Sequence, residues 1–213
     1  WRTPRSVRQP RMFAFATPLT IEVDGRKQVV CPGAGAVIAY DPDTGRPLWQ
    51  VDYPGGYSVI PRPVYGHGLV FVGTGYDRPS LLAIRPTGSG NVTETHVAWR
   101  LDRSAPHTPS PLLVGDELYV VSDNGIATCL DARTGKTHWQ KRLGGKFSAS
   151  PLFAAGRIYL QAEEGEGIVI APGTTYRELA RNRLEPRTFA SYAVAGDTLL
   201  IRTEFHLYRI GER

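Results

Sequence analysis

The sequence points to an all-β fold made of repeated four-stranded antiparallel sheets, on three observations. A glycine-bearing tight turn between short apolar runs recurs at Gly25, Gly66, Gly115, Gly156 and Gly196, in steps of 41, 49, 41 and 40 residues. Tryptophan recurs independently at Trp1, Trp49, Trp99 and Trp139, in steps of 48, 50 and 40. Helical periodicity is missing over the 213 residues, and 23 glycines with 17 prolines are too many for a bundle of long helices. Two series that drift around one period of 40 to 50 residues mark a repeat architecture. A unit of that length with four short strands and no helix is a blade of a β-propeller, and the chain supplies about four to five of them.

The units follow in order. Residues 1–12 carry Trp1-Arg2, read as the last strand of a preceding blade, and then a connection. Residues 13–53 make a clean blade. Residues 58–103 make a second, whose third turn is lengthened by the insertion Thr87-Gly88-Ser89-Gly90-Asn91. Residues 107–143 show the plan most plainly. Pro111–Val114 and Leu118–Val121 flank the turn Gly115-Asp116, where glycine supplies the positive φ that such hairpins need. Ile126–Leu130 is the third strand and Lys136–Gln140 the fourth, joined by Asp131-Ala132-Arg133-Thr134-Gly135. Residues 147–184 form a degenerate blade without tryptophan, in which Thr174–Leu184 is read as a fourth strand rather than a helical turn. Residues 189–213 supply a partial blade. All of these are expected to belong to a single domain, 1–213.

Composition excludes several classes. With 41% hydrophobic and 21% charged residues, wholesale disorder is not expected. The 25 Lys and Arg against 20 Asp and Glu leave +5, without the dense basic stripe of a nucleic-acid binder. No stretch approaches the roughly 18 apolar residues of a membrane-spanning helix. The first residue is Trp rather than Met, so a missing leader says nothing about export. Cys31 and Cys129 are too few for a disulfide framework or a zinc site.

One motif carries more. Ala39-Tyr40-Asp41-Pro42-Asp43-Thr44-Gly45-Arg46-Pro47-Leu48-Trp49 fits A-x-D-x-x-T-G-x-x-x-W throughout, and Cys129 to Trp139 fits with Cys for Ala. Ala83-Ile84-Arg85-Pro86-Thr87-Gly88 with Trp99 is a stretched copy. Each position has a physical use. Asp41 and Asp131 can accept backbone amides two residues on, and Thr44 and Thr134 can do so more weakly. Gly45 and Gly135 permit a left-handed turn residue. The indole brings apolar surface and one N–H that needs a partner. These eleven positions (Ala39, Asp41, Thr44, Gly45, Trp49, Trp99, Cys129, Asp131, Thr134, Gly135 and Trp139) are therefore expected to be structural.

The pattern resembles the tryptophan-docking motif of the PQQ-like, quinoprotein-type β-propeller repeat family. That family includes PQQ-dependent dehydrogenases and a non-enzymatic, BamB-like branch, to which this chain is more similar. The resemblance implies that the indole packs between neighbouring blades and that the ring closes with seven or eight of them. This chain would then be part of a longer polypeptide, with its remaining blades or a second copy completing the ring. It also implies a non-catalytic scaffold for a protein or small ligand in a bacterial cell envelope, periplasmic or extracellular, with no cofactor. PQQ and Ca²⁺ enter only under the alternative, a dehydrogenase of alcohols or sugars. A third alternative is a sensor domain fused to a kinase or another enzyme. Adjacent cysteines and an Asp, Glu and Asn calcium set, which dehydrogenases of the family carry, are not recognisable here.

Other candidates are few. His67, His96, His107, His138 and His206 lack metal-ligand spacing, Gly33-Ala34-Gly35 and Gly73-Thr74-Gly75 lack the rest of a phosphate loop, and Asn91-Val92-Thr93 is a glycosylation sequon. Arg2, Arg5, Arg8 and Arg11 recur every third residue, as an anion-binding strip or as a solvated connection. Arg177, Arg181, Arg183 and Arg187 are interleaved with Glu178 and Glu185. Arg62, Ser110, Ser150 and Ser191 occupy equivalent places at the start of first strands, where a propeller lines its channel, as ligand contacts or as residues small enough for the axis.

Overall fold

The structure, a computed structural model, describes residues 1–185 and 187–211. The chain divides into two compact units, Trp1–His107 with Arg133–Gly135, and Thr108–Ala132 with Lys136–Arg213.

The first unit holds two sheets. β1 (Leu19–Val23), β2 (Arg26–Gly33), β3 (Ala36–Tyr40) and β4 (Pro47–Asp52) form an antiparallel meander. β5 (Val64–Gly66), β6 (Leu69–Gly73), β7 (Leu81–Ile84) and, after an excursion, β9 (Val97–Leu101) form the next. Alternation decides which face each strand buries. Val70 and Val72 of β6 pack with Val30, Ala39, Trp49 and Val51 of the first sheet, and Phe71 between them points the other way.

The inserted segment does more than lengthen a turn. β8 (Gly90–Asn91) pairs in parallel with β4 as a fifth strand of the first sheet, and α1 (Thr93–His96) follows it. The expectation of no helix is corrected to this single short turn among the described residues. The reason is tertiary. The amide of Val92 donates to Gln50 O (2.8 Å), the Asp52 amide donates to Thr93 Oγ1 (2.8 Å), and Val92 is buried in the core between the sheets. Residues 1–11 form no strand, contrary to the expectation for Trp1-Arg2. They run extended along the first sheet, with Thr3, Arg5, Val7 and Gln9 half-buried and the residues between them exposed.

The second unit holds three sheets. β10 (Leu112–Val114), β11 (Glu117–Val121), β12 (Ile126–Asp131) and β13 (Thr137–Arg142) form one. β14 (Leu152–Ala154), β15 (Arg157–Gln161), β16 (Glu166–Ile170) and β17 (Glu178–Arg183) form another. β18 (Ala193–Ala195), β19 (Thr198–Arg202) and β20 (Leu207–Ile210) form a three-stranded sheet. The core between the first two of these is made by Tyr119, Val121, Cys129, Phe147, Ile158, Leu160 and Ile168.

Candidate functional site

Each four-stranded sheet carries an equivalent row of directly paired residues across its second, third and fourth strands, next to a register shift. The rows are Val30–Ala39–Trp49, Phe71–Ala83–Trp99, Tyr119–Cys129–Trp139 and Tyr159–Val169–Ala180. In all four the register slips by one residue just after the central member, so a bulge follows Ala39, Ala83, Cys129 and Val169. A bulge re-aims the strand that carries it. In three rows a small residue faces the indole; in the fourth a valine faces an alanine.

The indoles reach forward to the next turn of the motif. Trp1 Nε1 donates to Pro42 O at 2.8 Å, and a Cβ on Gly45 would lie 2.3 Å from the Trp1 ring. Trp1 is nonetheless 68% exposed. Trp49 is buried and donates to Gln28 Oε1 (2.7 Å), whose Nε2 donates to Pro86 O (3.1 Å). Gln28 thus bridges the wider gap left by the stretched copy of the motif. Trp99 packs on Phe71 and covers Gly135, where a Cβ would sit 2.6 Å from Cδ2. Trp139 Nε1 donates to Gly173 O (3.0 Å), and the Gly173 amide donates to the Tyr119 hydroxyl (2.6 Å).

The turns beneath the indoles explain the remaining motif residues. Asp41 Oδ1 accepts the amides of Asp43 (3.0 Å) and Thr44 (2.9 Å) and the Thr44 hydroxyl (2.9 Å). Those donors, the Thr44 amide foremost, hold the Asp41 carboxyl below the usual carboxylate range. Gly45 and Gly135 both have φ near +70°. In the second copy the Asp131 amide donates to Lys136 O at 2.8 Å. Cys129 is buried in its row, and desolvation pushes its thiol up to about 12. Burial also raises Cys31 on β2.

The remaining candidates fall into place by the same geometry. The Ser110 amide donates to Ser150 Oγ (3.0 Å) and the Ser150 amide to Ser191 Oγ (2.9 Å), so these hydroxyls tie successive first strands together. Arg62, at the same place in the second sheet, is exposed. Of the four N-terminal arginines, Arg5 donates to Ala36 O (2.8 Å) and lies over Gly33, and Arg11 donates to the Tyr57 hydroxyl and sits 4.7 Å from the centre of that ring. The period of three therefore does not make one uniform strip. Arg181 pairs with Glu178 and Glu166, Arg183 with Glu185, and Arg187 with Glu163.

Cys31 and Cys129 stand on strands of different sheets, β2 and β12. No group of three or more His, Cys, Asp or Glu able to hold a metal occurs among the described residues. A cavity of about 980 Å³ in the first unit, bordered by Tyr76, Asp77, Arg78 and Asp102, is rich in charge, but Asp102 is already spent on Ser80 (2.6 Å) and Arg100 (2.8 Å). Sequence reasoning missed two things: the row that ends in Ala180 and the strand added by β8. Only the lack of a tryptophan in residues 147–184 hinted at the first.

The family model described as outer membrane protein assembly factor BamB matches residues 90–204. Among curated proteins of that name, the one from Shewanella oneidensis is 26% identical over 191 residues, 79% of this chain and 45% of that protein. That from Vibrio cholerae is 24% identical over 197 residues, 82% and 48% respectively. That from Pseudomonas aeruginosa is 35% identical over 103 residues, 46% and 27%. The chain thus spans at most about half the length of these relatives. Among solved structures, BamB from Moraxella catarrhalis superposes with a TM-score of 0.70 at 17% identity, over 95% of this chain and 60% of that one. Quinohemoprotein alcohol dehydrogenase from Comamonas testosteroni gives 0.68 at 16%, over 94% and 41%. At such identities the likeness shows the fold, a β-propeller, and not the chemistry.

Proposed function

The chain belongs to the family of the outer membrane protein assembly factor BamB, and from that membership we propose that it is a non-catalytic propeller scaffold that binds protein in a bacterial cell envelope. The observation that carries this reading is that the sequence relatives carry the assembly-factor name, whereas the dehydrogenase shares the fold at 16% identity. The local chemistry agrees. The side chains that the motif singles out are engaged in turns and between sheets, so what the chain offers a partner is surface and strand edge. The envelope location and the work on outer membrane proteins come from the relatives' name.

The test has two arms. The immobilised protein is expected to retain a urea-solubilised outer membrane β-barrel protein and to release a folded, water-soluble control. Adding PQQ and Ca²⁺ is expected to give neither a bound quinone absorbance band nor dye-linked oxidation of alcohols or sugars. A quinone band with turnover overturns the scaffold reading in favour of the dehydrogenase.

A further inference from the structure

The fourth row differs from the others in a way that leaves space. Where three sheets place an indole opposite a small residue, this one places Ala180 opposite Val169. Beside it lies a cavity of about 750 Å³, with Tyr159, Val169 and Ala180 on one wall and Tyr192, Leu199 and Ile201 on the other. That volume is in the range of small-ligand sites. β17 is also the end strand of its sheet and is exposed along its whole length, so its outer backbone groups are a template for another strand.

The chain itself shows how such an edge is used. β8 adds in parallel to β4, the end strand of the first sheet, and sets Gly90 against Trp49. The row there reads Val30–Ala39–Trp49–Gly90, and Gly90 is a glycine for its backbone, with φ +71° and nothing within 4 Å of an added Cβ. In the fourth sheet the docking residue is small and the cavity beside it is open, which leaves room for a large side chain on an added neighbour. Charge narrows the partner further. Among the described residues the cavity is lined by Arg157 and Arg183 and by no carboxylate.

We propose that β17 and the adjoining cavity bind an extended polypeptide segment that adds as a strand along β17. It places an aromatic side chain opposite Ala180, flanked by carboxylates that meet Arg157 and displace Glu185 from its exposed pair with Arg183. Main-chain pairing supplies the attachment and the cavity supplies selection, as in other strand-addition complexes. The site rests on the reading of the chain as a protein-binding scaffold and gives that scaffold a specific sequence preference.

The test titrates the full chain with a labelled seven-residue peptide in which threonines flank a central tryptophan, with glutamate two residues away on either side. Replacing that tryptophan by alanine is expected to weaken binding at least tenfold. Ala180→Trp, which fills the row from within, is expected to do the same while the melting temperature holds or rises. Should Ala180→Trp fail to fold, Ala180→Leu gives the same comparison with a smaller side chain. Arg157→Glu with Arg183→Glu is expected to weaken the acidic peptide and spare one with lysine in place of glutamate. Equal binding of the alanine peptide, or undiminished binding by a folded Ala180 variant, overturns the site. If N-acetyltryptophanamide binds as tightly as the peptide, strand addition is overturned and the cavity is a pocket for small aromatics. Failure here with retention of the unfolded β-barrel protein overturns this site alone, whereas loss of both overturns the scaffold reading.

Discussion

Gly135 concentrates two demands in one residue. Its φ of +72° is a conformation that L side chains rarely adopt, and the Trp99 ring occupies the space a Cβ would need. Gly156 has nearly the same φ, +71°, with nothing near an added Cβ. The pair separates backbone strain from docking. Gly156→Ala is expected to cost about 1 kcal/mol from the left-handed backbone alone, and Gly135→Ala about 3 kcal/mol because the indole must also move. Urea midpoints of the two variants check this; equal losses would mean that the indole gives way freely. A second residue-scale prediction concerns Glu178, whose carboxyl Arg181 and the Tyr176 hydroxyl hold down at about 2. A group whose folded pKa is depressed adds stability above its ordinary value and loses it as pH falls towards the folded one. The melting temperature of the protein minus that of Glu178→Gln should therefore be constant near neutrality and shrink from about pH 4.5 to pH 2. At these exposures the pair contributes no more than about 1 kcal/mol.

At the scale of the element, the strands that sequence exposes are those whose two faces differ. Apolar alternation around a glycine turn makes β10, β11, β14 and β15 readable. β17 has no such contrast, since all six of its residues are exposed, and spacing from Trp139 alone marks it as a strand. β8 is not readable at all. Gly90-Asn91 has no strand propensity and pairs with β4 because that edge and the pocket for Val92 are there to receive it. Trp1 shows the converse, docking in the expected place without a strand beneath it. The serines are visible as equivalent positions, yet that the Ser150 and Ser191 hydroxyls accept the amide of the preceding serine depends on how closely first strands approach, which no local pattern encodes. If the inserted segment is held mainly by Val92, then Val92→Ala should cost about 1–2 kcal/mol from lost burial and the cavity left behind. Amide exchange in β4 should accelerate in the same variant, since its outer groups lose their cover. Exchange unchanged from the parent would show that β8 is incidental to the first sheet.

Over the whole chain, the two units have separate cores and should unfold as separate events. Val72 lies in the core of the first unit and Phe147 in that of the second, and both are fully buried. Truncating Phe147 to alanine removes about 3–5 kcal/mol of packing, and for a unit of roughly a hundred residues each kcal/mol shifts melting by about 4–8 °C. Calorimetry of Phe147→Ala is therefore expected to move one component of the endotherm down by more than about 10 °C and leave the other in place. Val72→Ala should move the other component by a smaller amount, because valine loses fewer atoms. The coupling that tempers this independence is local. Arg133–Gly135 is packed with the first unit although its neighbours in sequence belong to the second. Gly135→Ala should accordingly lower the first component while its own flanking strands, β12 and β13, keep the melting behaviour of the second. A single sharp transition that shifts as one in all three variants would mean that the sheets cooperate along the entire chain, as a repeat array does when the interfaces between units outweigh the units themselves.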